Sequence, residues 1–151
     1  MYKRQKKNNA KDSDVKDGVE LSICLFNTKE KTLKFSAAGH KLLVVSGGNY
    51  VDYKGDAIPL GELKYSFMKK FNSHTIKLKE GDCFYLFSDG VPDQKGGEKG
   101  KKLYYKPFYQ FLESNANLAC NQQAEKLEEF IQDWKKDVEQ YDDMLVLGFK
   151  V

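Results

Sequence analysis

Two acidic positions stand at the ends of apolar runs that the sequence predicts to be strands. Asp89 follows the run FYLF (84–87), and Asp142 and Asp143 come just before the last apolar run, MLVLGFKV. In an antiparallel pair of neighbouring strands, the end of one strand lies beside the start of the other. Asp89 and Asp142 would then converge although 53 positions separate them (142 − 89).

Converging carboxylates point to a cation. Two carboxylates repel each other unless one is protonated or a cation lies between them. Hard cations such as Mg²⁺ and Mn²⁺ prefer oxygen ligands. The pattern therefore raises a metal site as a hypothesis. The alternative is that each aspartate is a turn former or a solvated cap beside a strand.

Two histidines are further candidates. His40 follows Ala37-Ala38-Gly39, where small residues permit close backbone packing, so it could donate a proton to a leaving alkoxide. The alternative reading is a structural residue at a strand end. His74 lies in an alternating segment, which predicts an outward-facing surface residue.

A charged, glycine-rich run, 93–102, follows Asp89, and we expect it to be a surface loop. It contains four lysines, Lys95, Lys99, Lys101 and Lys102. They could attract a phosphoprotein, because phosphate carries close to two negative charges. The alternative is a solvated loop whose charge Asp93 and Glu98 balance.

The elements that would position these residues change type along the chain. Alternation and turn residues predict strands at 19–27, 32–40, 41–47 and 49–55, joined as an antiparallel meander. Further strands are predicted near 65–69, at 74–79 and at 83–89.

Helices follow the strands. A short helix has Pro107 in its first turn, and a second helix of about 18 residues carries an apolar stripe. The stripe consists of Ala124, Leu127, Ile131, Trp134 and Val138. With the final strand, this order predicts a layered α+β fold in which the helix stripe covers one sheet face.

Composition limits the function classes. A chain of 151 residues has the size of one domain, and a net charge of +3 is too small to indicate nucleic-acid binding. No apolar run approaches the roughly 18 residues that span a bilayer, so we expect a cytoplasmic segment without membrane contact. Cys24, Cys83 and Cys120 form no CxxC pair and are expected to be buried, reduced thiols.

Four ordered motifs add a resemblance. FSAAGHKLLVV (35–45), IPLGE (58–62), LKEGDCFYLFSDGVPDQ (78–94) and QYDDMLVLGF (140–149) together resemble the C-terminal half of PPM-type serine/threonine phosphatases. The branch is that of the stage II sporulation phosphatase and the regulators of bacterial sigma factors. The resemblance covers residues 17–151 and implies a β-sandwich flanked by helices, of which this chain is a partial domain.

The resemblance assigns roles to acidic residues. It implies that Asp89 and Asp142 bind metal, with the backbone of Gly90 as a further candidate, and that Asp143 supports the site from beside it. Asp17 would help to bind an accessory third metal, although a charged tail is the commoner explanation. The intact domain would hold two Mn²⁺ or Mg²⁺ ions, which activate a water for attack on phosphorus.

The N-terminal half of such a domain supplies further acidic ligands, and nothing before Val19 provides them. We therefore expect residues 1–18 to be a disordered or artefactual segment, and 19–151 to be the C-terminal part of a phosphatase domain. The opening MYKRQ reads like a translated sequencing adapter, or alternatively like an ordinary basic tail. The isolated chain would be inactive because it carries half of a metal site.

The resemblance also implies partners. The substrate would be phosphoserine or phosphothreonine on a bacterial regulatory protein, for example an anti-sigma-factor antagonist. The parent protein would carry an upstream sensor domain and could be anchored in a membrane there. The alternative is a non-catalytic signalling module that retains the fold and binds a partner without hydrolysis.

Overall fold

The computed structural model describes residues 18–60 and 70–151. Its strands are β1 (Leu21–Asn27), β2 (Thr32–Ala38), β3 (Lys41–Ser46), β4 (Asn49–Lys54), β5 (His74–Lys77), β6 (Cys83–Phe87), β7 (Lys95–Gly96), β8 (Lys101–Lys102) and β9 (Val146–Lys150). Its helices are α1 (Gly90–Asp93), α2 (Tyr105–Asn115) and α3 (Cys120–Lys135). The predicted strand near 65–69 and residues 1–17 lie outside the described residues.

Two antiparallel sheets pack face to face. One has the strand order β1-β2-β5 and the other β4-β3-β6-β9, while β7 and β8 form a small separate hairpin. The core between the sheets combines side chains of both, including Leu33 and Phe35 from β2 with Leu42 and Phe84 from β3 and β6. The fold is α+β, as predicted.

The helices cover the outer face of the four-stranded sheet. A second core joins Leu43 and Tyr85 of that sheet to Phe108 and Leu112 of α2. Leu127 and Trp134 of α3 pack against the same core, so the apolar stripe of α3 does cover a sheet face. Val138 lies beyond the end of α3, which has 16 residues.

The predicted four-strand meander is wrong between β2 and β3. β1 pairs with β2 and β3 pairs with β4, but β2 and β3 belong to different sheets. β3 is a central strand of the four-stranded sheet, between β4 and β6, and it is buried on both faces from Leu42 to Val45. Gly39, at φ +82°, lies in the connection from one sheet to the other.

His74 does not face outward. It shares a face of β5 with buried Ile76, and its ring lies 6.0 Å from that of Phe35 and 5.4 Å from that of Tyr53. Its Nε2 donates to the carbonyl oxygen of Lys54 at 3.1 Å. β5 is a short edge strand of the three-stranded sheet. The prediction that His74 lies on the outward face of this strand is therefore wrong.

Two other expectations change in the structure. Cys24 is half-buried and Cys83 is buried, but Cys120 is exposed at the start of α3, and all three are free thiols. The run 93–102 is exposed at its tip but forms the β7–β8 hairpin, and Gly96 is buried in it. Among the described helices, none combines the length and apolar character that a membrane span needs.

Candidate metal centre

The ends of β6 and β9 bring the two acidic segments together. The paired register of these strands runs to Phe87 opposite Val146. Just beyond it, the Ser88 amide donates to the Leu145 carbonyl oxygen at 3.0 Å. The predicted antiparallel neighbourhood of the two segments is confirmed.

The Ser88 side chain ties the second acidic segment to the first. Its Oγ donates to the carbonyl oxygen of Asp143 at 2.8 Å and accepts from the amide of Leu145 at 2.9 Å. One hydroxyl thus satisfies the Asp143 carbonyl and the Leu145 amide, which lie beyond the paired residues of β6 and β9. Sequence reasoning gave Ser88 no role, and its position directly before Asp89 was the available signal.

Gly90 allows the two segments to touch. A Cβ atom at Gly90 would lie 2.3 Å from the carbonyl oxygen of Asp143 and 3.3 Å from the amide nitrogen of Met144. The φ angle of Gly90 is not positive, so close approach rather than an unusual backbone angle requires glycine here. Asp89 is held directly beside this contact.

Both predicted ligand side chains are exposed. Asp89 precedes α1, and its carbonyl oxygen accepts from the Asp93 amide at 2.9 Å, but its side chain does not cap the helix. Asp142 Oδ1 accepts from the Asp143 amide at 2.8 Å, which fixes one side of that carboxylate. The second oxygen of Asp142 and the carboxylate of Asp89 belong to exposed side chains.

Carboxylate oxygens are the donors that hard divalent cations prefer, so Asp89 and Asp142 fit such an ion chemically. Within residues 18–60 and 70–151, no three potential ligand side chains come together. Asp17 lies outside the described residues, and the metal roles of Asp89, Gly90, Asp142 and Asp143 remain predictions.

His40 makes its side-chain contacts with residues near β1. It directly precedes β3, whose residue Leu42 pairs with Leu86 two positions before Ser88. Its Nδ1 lies 3.2 Å from Ser22 Oγ, and its Nε2 lies 3.8 Å from Glu20 Oε2. These contacts favour the structural reading of His40, and its role as a proton donor stays a prediction.

Lys102 and Lys41 have defined partners on α1 and α2, the two helices that follow Asp89 in the chain. Lys102 forms an ion pair with Asp93 at 2.7 Å, so the predicted balancing of a loop lysine by Asp93 is confirmed. The hydrogen bond to Asp93 raises the pKa of Lys102, and the charge of Asp89 adds to this effect. Lys41 Nζ lies 3.5 Å from the ring centre of Tyr105. Burial raises the pKa of the Tyr105 hydroxyl, and the charge of Asp89 raises it further.

The β7–β8 hairpin is fastened to the segment that leads to Asp142. Trp134 Nε1 donates to the carbonyl oxygen of Gln94 at 3.0 Å, and Gln94 Nε2 donates to that of Glu139 at 3.1 Å. A Cβ at Gly96 would lie 2.0 Å from the Trp134 carbonyl oxygen. Sequence reasoning placed Trp134 in the helix stripe and missed this second contact, which no local pattern signals.

Solved structures share this fold. The SiaA-PP2C domain of Pseudomonas aeruginosa matches with a TM-score of 0.80 and 24% identity, over 87% of this chain and 51% of that one. The SpoIIE phosphatase domain from Bacillus subtilis, presoaked with Mn, matches with a TM-score of 0.60 and 16% identity, over 87% and 56%. RsbX in complex with magnesium matches with a TM-score of 0.53 and 17% identity, over 87% and 55%.

At these identities the likeness shows the fold. The chain spans about half the length of these structures. A search of curated proteins finds no match. The family described as stage II sporulation protein E (SpoIIE) matches residues 3–151, nearly the whole sequence. With the phosphatase-domain fold and the paired acidic segments, this match shows that the chain belongs to the SpoIIE family of PP2C-type phosphatases.

Proposed function

We propose that this chain is the C-terminal part of a divalent-metal-dependent phosphatase domain that hydrolyses phosphoserine and phosphothreonine on a protein. The observation that carries the proposal is the contact between the Asp89 and Asp142 segments through Ser88 and Gly90. One structural neighbour was presoaked with Mn and another is in complex with magnesium, which supports a divalent ion. Either Mn²⁺ or Mg²⁺ suits the carboxylate donors.

Each residue has a defined task in this proposal. Asp89 and Asp142 supply carboxylate oxygens, and the carbonyl of Gly90 is a further candidate donor. Asp143 holds Asp142 through its amide, and Ser88 holds Asp143 through its carbonyl. Bound divalent ions would lower the pKa of a coordinated water and offset the charge that develops on phosphate.

The substrate in this proposal is a phosphorylated bacterial regulatory protein, such as an anti-sigma-factor antagonist. The setting is the cytoplasm, with a sensor domain upstream of the phosphatase domain. Because no three potential ligand side chains come together among the described residues, we propose that Asp89 and Asp142 need further ligands from an N-terminal half of the domain. The 151-residue chain alone would then have little activity.

The test uses the complete domain, with Asp89→Asn as the variant and Asp137→Asn as a control at an exposed aspartate after α3. Mn²⁺-dependent phosphate release from p-nitrophenyl phosphate should fall more than about 100-fold for Asp89→Asn. Removing a group that supports a metal ligand typically lowers activity about 10- to 100-fold, and removing the ligand itself should lower it further. The control should keep wild-type turnover. Unchanged turnover of Asp89→Asn would reject the assignment. A wild-type domain that binds partners but releases no phosphate would instead favour the signalling module.

A further inference from the structure

Tyr104 has a backbone conformation that favours glycine. Its φ is +65° and its ψ is 163°, a region in which a side chain on Cα is strained. Neighbouring contacts impose this conformation. The Leu103 amide donates to the Gln94 carbonyl oxygen at 2.9 Å, and the Tyr104 amide donates to that of Pro92 at 2.7 Å. Leu103 is buried, so the chain must turn sharply at Tyr104.

The side chain of Tyr104 does not repay this strain by burial. It is 58% exposed, while Leu103 before it is buried and Tyr105 after it is half-buried. An exposed ring gains little from the hydrophobic effect. Glycine would fit the backbone better, and a tyrosine at this position therefore calls for an explanation outside folding stability.

Tyr104 is hydrogen-bonded to the short helix that follows Asp89. Its amide is bound to Pro92 of α1, three residues after Asp89. Lys102, two residues before Tyr104, pairs with Asp93 at the end of the same short helix. The backbone that carries the exposed ring is thus anchored to the helix that follows Asp89.

A second exposed tyrosine lies on the other acidic segment. Tyr141 directly precedes Asp142 and is 67% exposed. Lys95 Nζ lies 5.2 Å from the centre of its ring, and Lys95 is the strand partner of Lys102 in the β7–β8 hairpin. The hairpin therefore connects the segment that carries Tyr104 to the segment that carries Tyr141.

We propose that Tyr104 and Tyr141 form a two-sided rim that binds the polypeptide flanking the phosphorylated residue of the substrate. This inference rests on the function proposed above and adds the residues that favour a phosphoprotein over a small phosphate ester. Tyrosine offers a large apolar face for a peptide backbone and a hydroxyl that can donate to its carbonyl oxygens. Tyrosine also costs little conformational entropy on binding, since it has two side-chain torsions.

The test compares two probes, a phosphoserine peptide and p-nitrophenyl phosphate, in the complete metal-loaded domain. The variants are Tyr104→Gly, which suits the local φ and so should fold, and Tyr141→Ala. For each variant, the ratio of kcat/KM for the peptide to kcat/KM for the small ester should fall about tenfold, the loss typical of an aromatic residue central to an interface. Lys31→Gly is the matched control. Lys31 also has a positive φ, +49°, but it lies just before β2, at the opposite end of that strand from Gly39 and His40. Its ratio should equal that of the wild type.

Other outcomes overturn the proposal. An unchanged ratio in both tyrosine variants would show that the rings do not contact the peptide. A fall in only one variant would reject a two-sided rim, and equal losses on both probes would reject a role in substrate discrimination. If the wild-type domain shows Mn²⁺-dependent release from neither probe, the proposed function fails and this inference fails with it. A wild type active on p-nitrophenyl phosphate alone would leave the proposed metal-dependent hydrolysis standing and reject the rim.

Discussion

Gly90 lies so close to Asp143 that a methyl group on Gly90 would sit 2.3 Å from the Asp143 carbonyl oxygen. The Asp143 carbonyl belongs to the backbone, which moves less readily than a flexible side chain. The same carbonyl oxygen also accepts from Ser88 Oγ at 2.8 Å. The segments that carry Asp89 and Asp142 are therefore held together by backbone contact as well as by hydrogen bonds.

Gly90→Ala should destabilise the fold and separate the two acidic segments. We expect the free energy of unfolding to fall by about 3 kcal/mol, the upper part of the usual range for overpacking, because the obstacle is backbone. Urea denaturation of the chain measures this change. Gly47→Ala is the control, since a Cβ there meets nothing within 4 Å and strains only a φ of +57°. It should cost about 1 kcal/mol. Equal losses for the two variants would argue against the contact.

Ser88→Ala should remove the hydroxyl that bridges Asp143 and Leu145. Two partly exposed backbone groups lose their partner, so the free energy of unfolding should fall by about 1–2 kcal/mol in urea denaturation. Ser88→Thr keeps the hydroxyl and should recover most of the loss. Among the described residues, the Ser114 hydroxyl donates to the Gln110 carbonyl of its own helix, so Ser114→Ala should have little effect. A Ser88→Ala variant as stable as Ser114→Ala would contradict the bridging role.

The neighbourhood of Asp89 and Asp142 could be predicted because it depends on one strand pairing. Two apolar runs with acidic residues at opposite ends suffice to bring those ends together if the strands are antiparallel neighbours. The contact of Gly90 with Asp143 could not be predicted in the same way. It depends on how far the two segments approach each other after the paired register ends, which sequence spacing does not contain.

The division of the strands between two sheets could not be predicted from the sequence either. Turn residues between 38 and 41 indicate that the chain reverses, but a reversal within a sheet and a crossing to another sheet look alike in sequence. The signal that β3 lies centrally is its unbroken run Leu42–Val45, which is typical of a strand buried on both faces. His74 illustrates the same limit, because its assignment to a face depended on which sheet lay opposite.

Asp142→Asn should weaken Mn²⁺ binding more than Asp143→Asn in the complete domain. An asparagine at 142 can still accept from the Asp143 amide through its side-chain oxygen, so the backbone should keep its course while the charge is lost. We expect at least about a tenfold rise in Kd for Asp142→Asn and a smaller rise for Asp143→Asn. Isothermal titration calorimetry compares them. The reverse ranking would move the ligand to Asp143.

Tyr85 should make the fold sensitive to alkaline pH. Its hydroxyl is buried and donates to Gln123 Oε1 at 2.8 Å. Burial raises the pKa of Tyr85 far above its usual range, and the charge of a Cys83 thiolate would raise it further. The unfolded chain releases the tyrosine proton near pH 10, whereas the folded chain retains it. The stabilisation is therefore complete below about pH 10 and is lost above it, by about 1.4 kcal/mol per pH unit for this group.

Tyr85→Phe separates the hydrogen bond from the titration. At neutral pH the variant should be less stable than the wild type by about 1 kcal/mol, because Gln123 loses a partner. Above about pH 10 the free energy of unfolding of the variant should decline less steeply, because phenylalanine has no hydroxyl proton that the folded state retains and the unfolded state releases. The difference between the two proteins should then shrink and change sign as pH rises. Tyr141→Phe, at an exposed position, controls for loss of a phenol. Urea denaturation from neutral to strongly alkaline pH provides the measurement, and parallel profiles for wild type and Tyr85→Phe would show that the buried hydroxyl is not what makes folding pH-dependent.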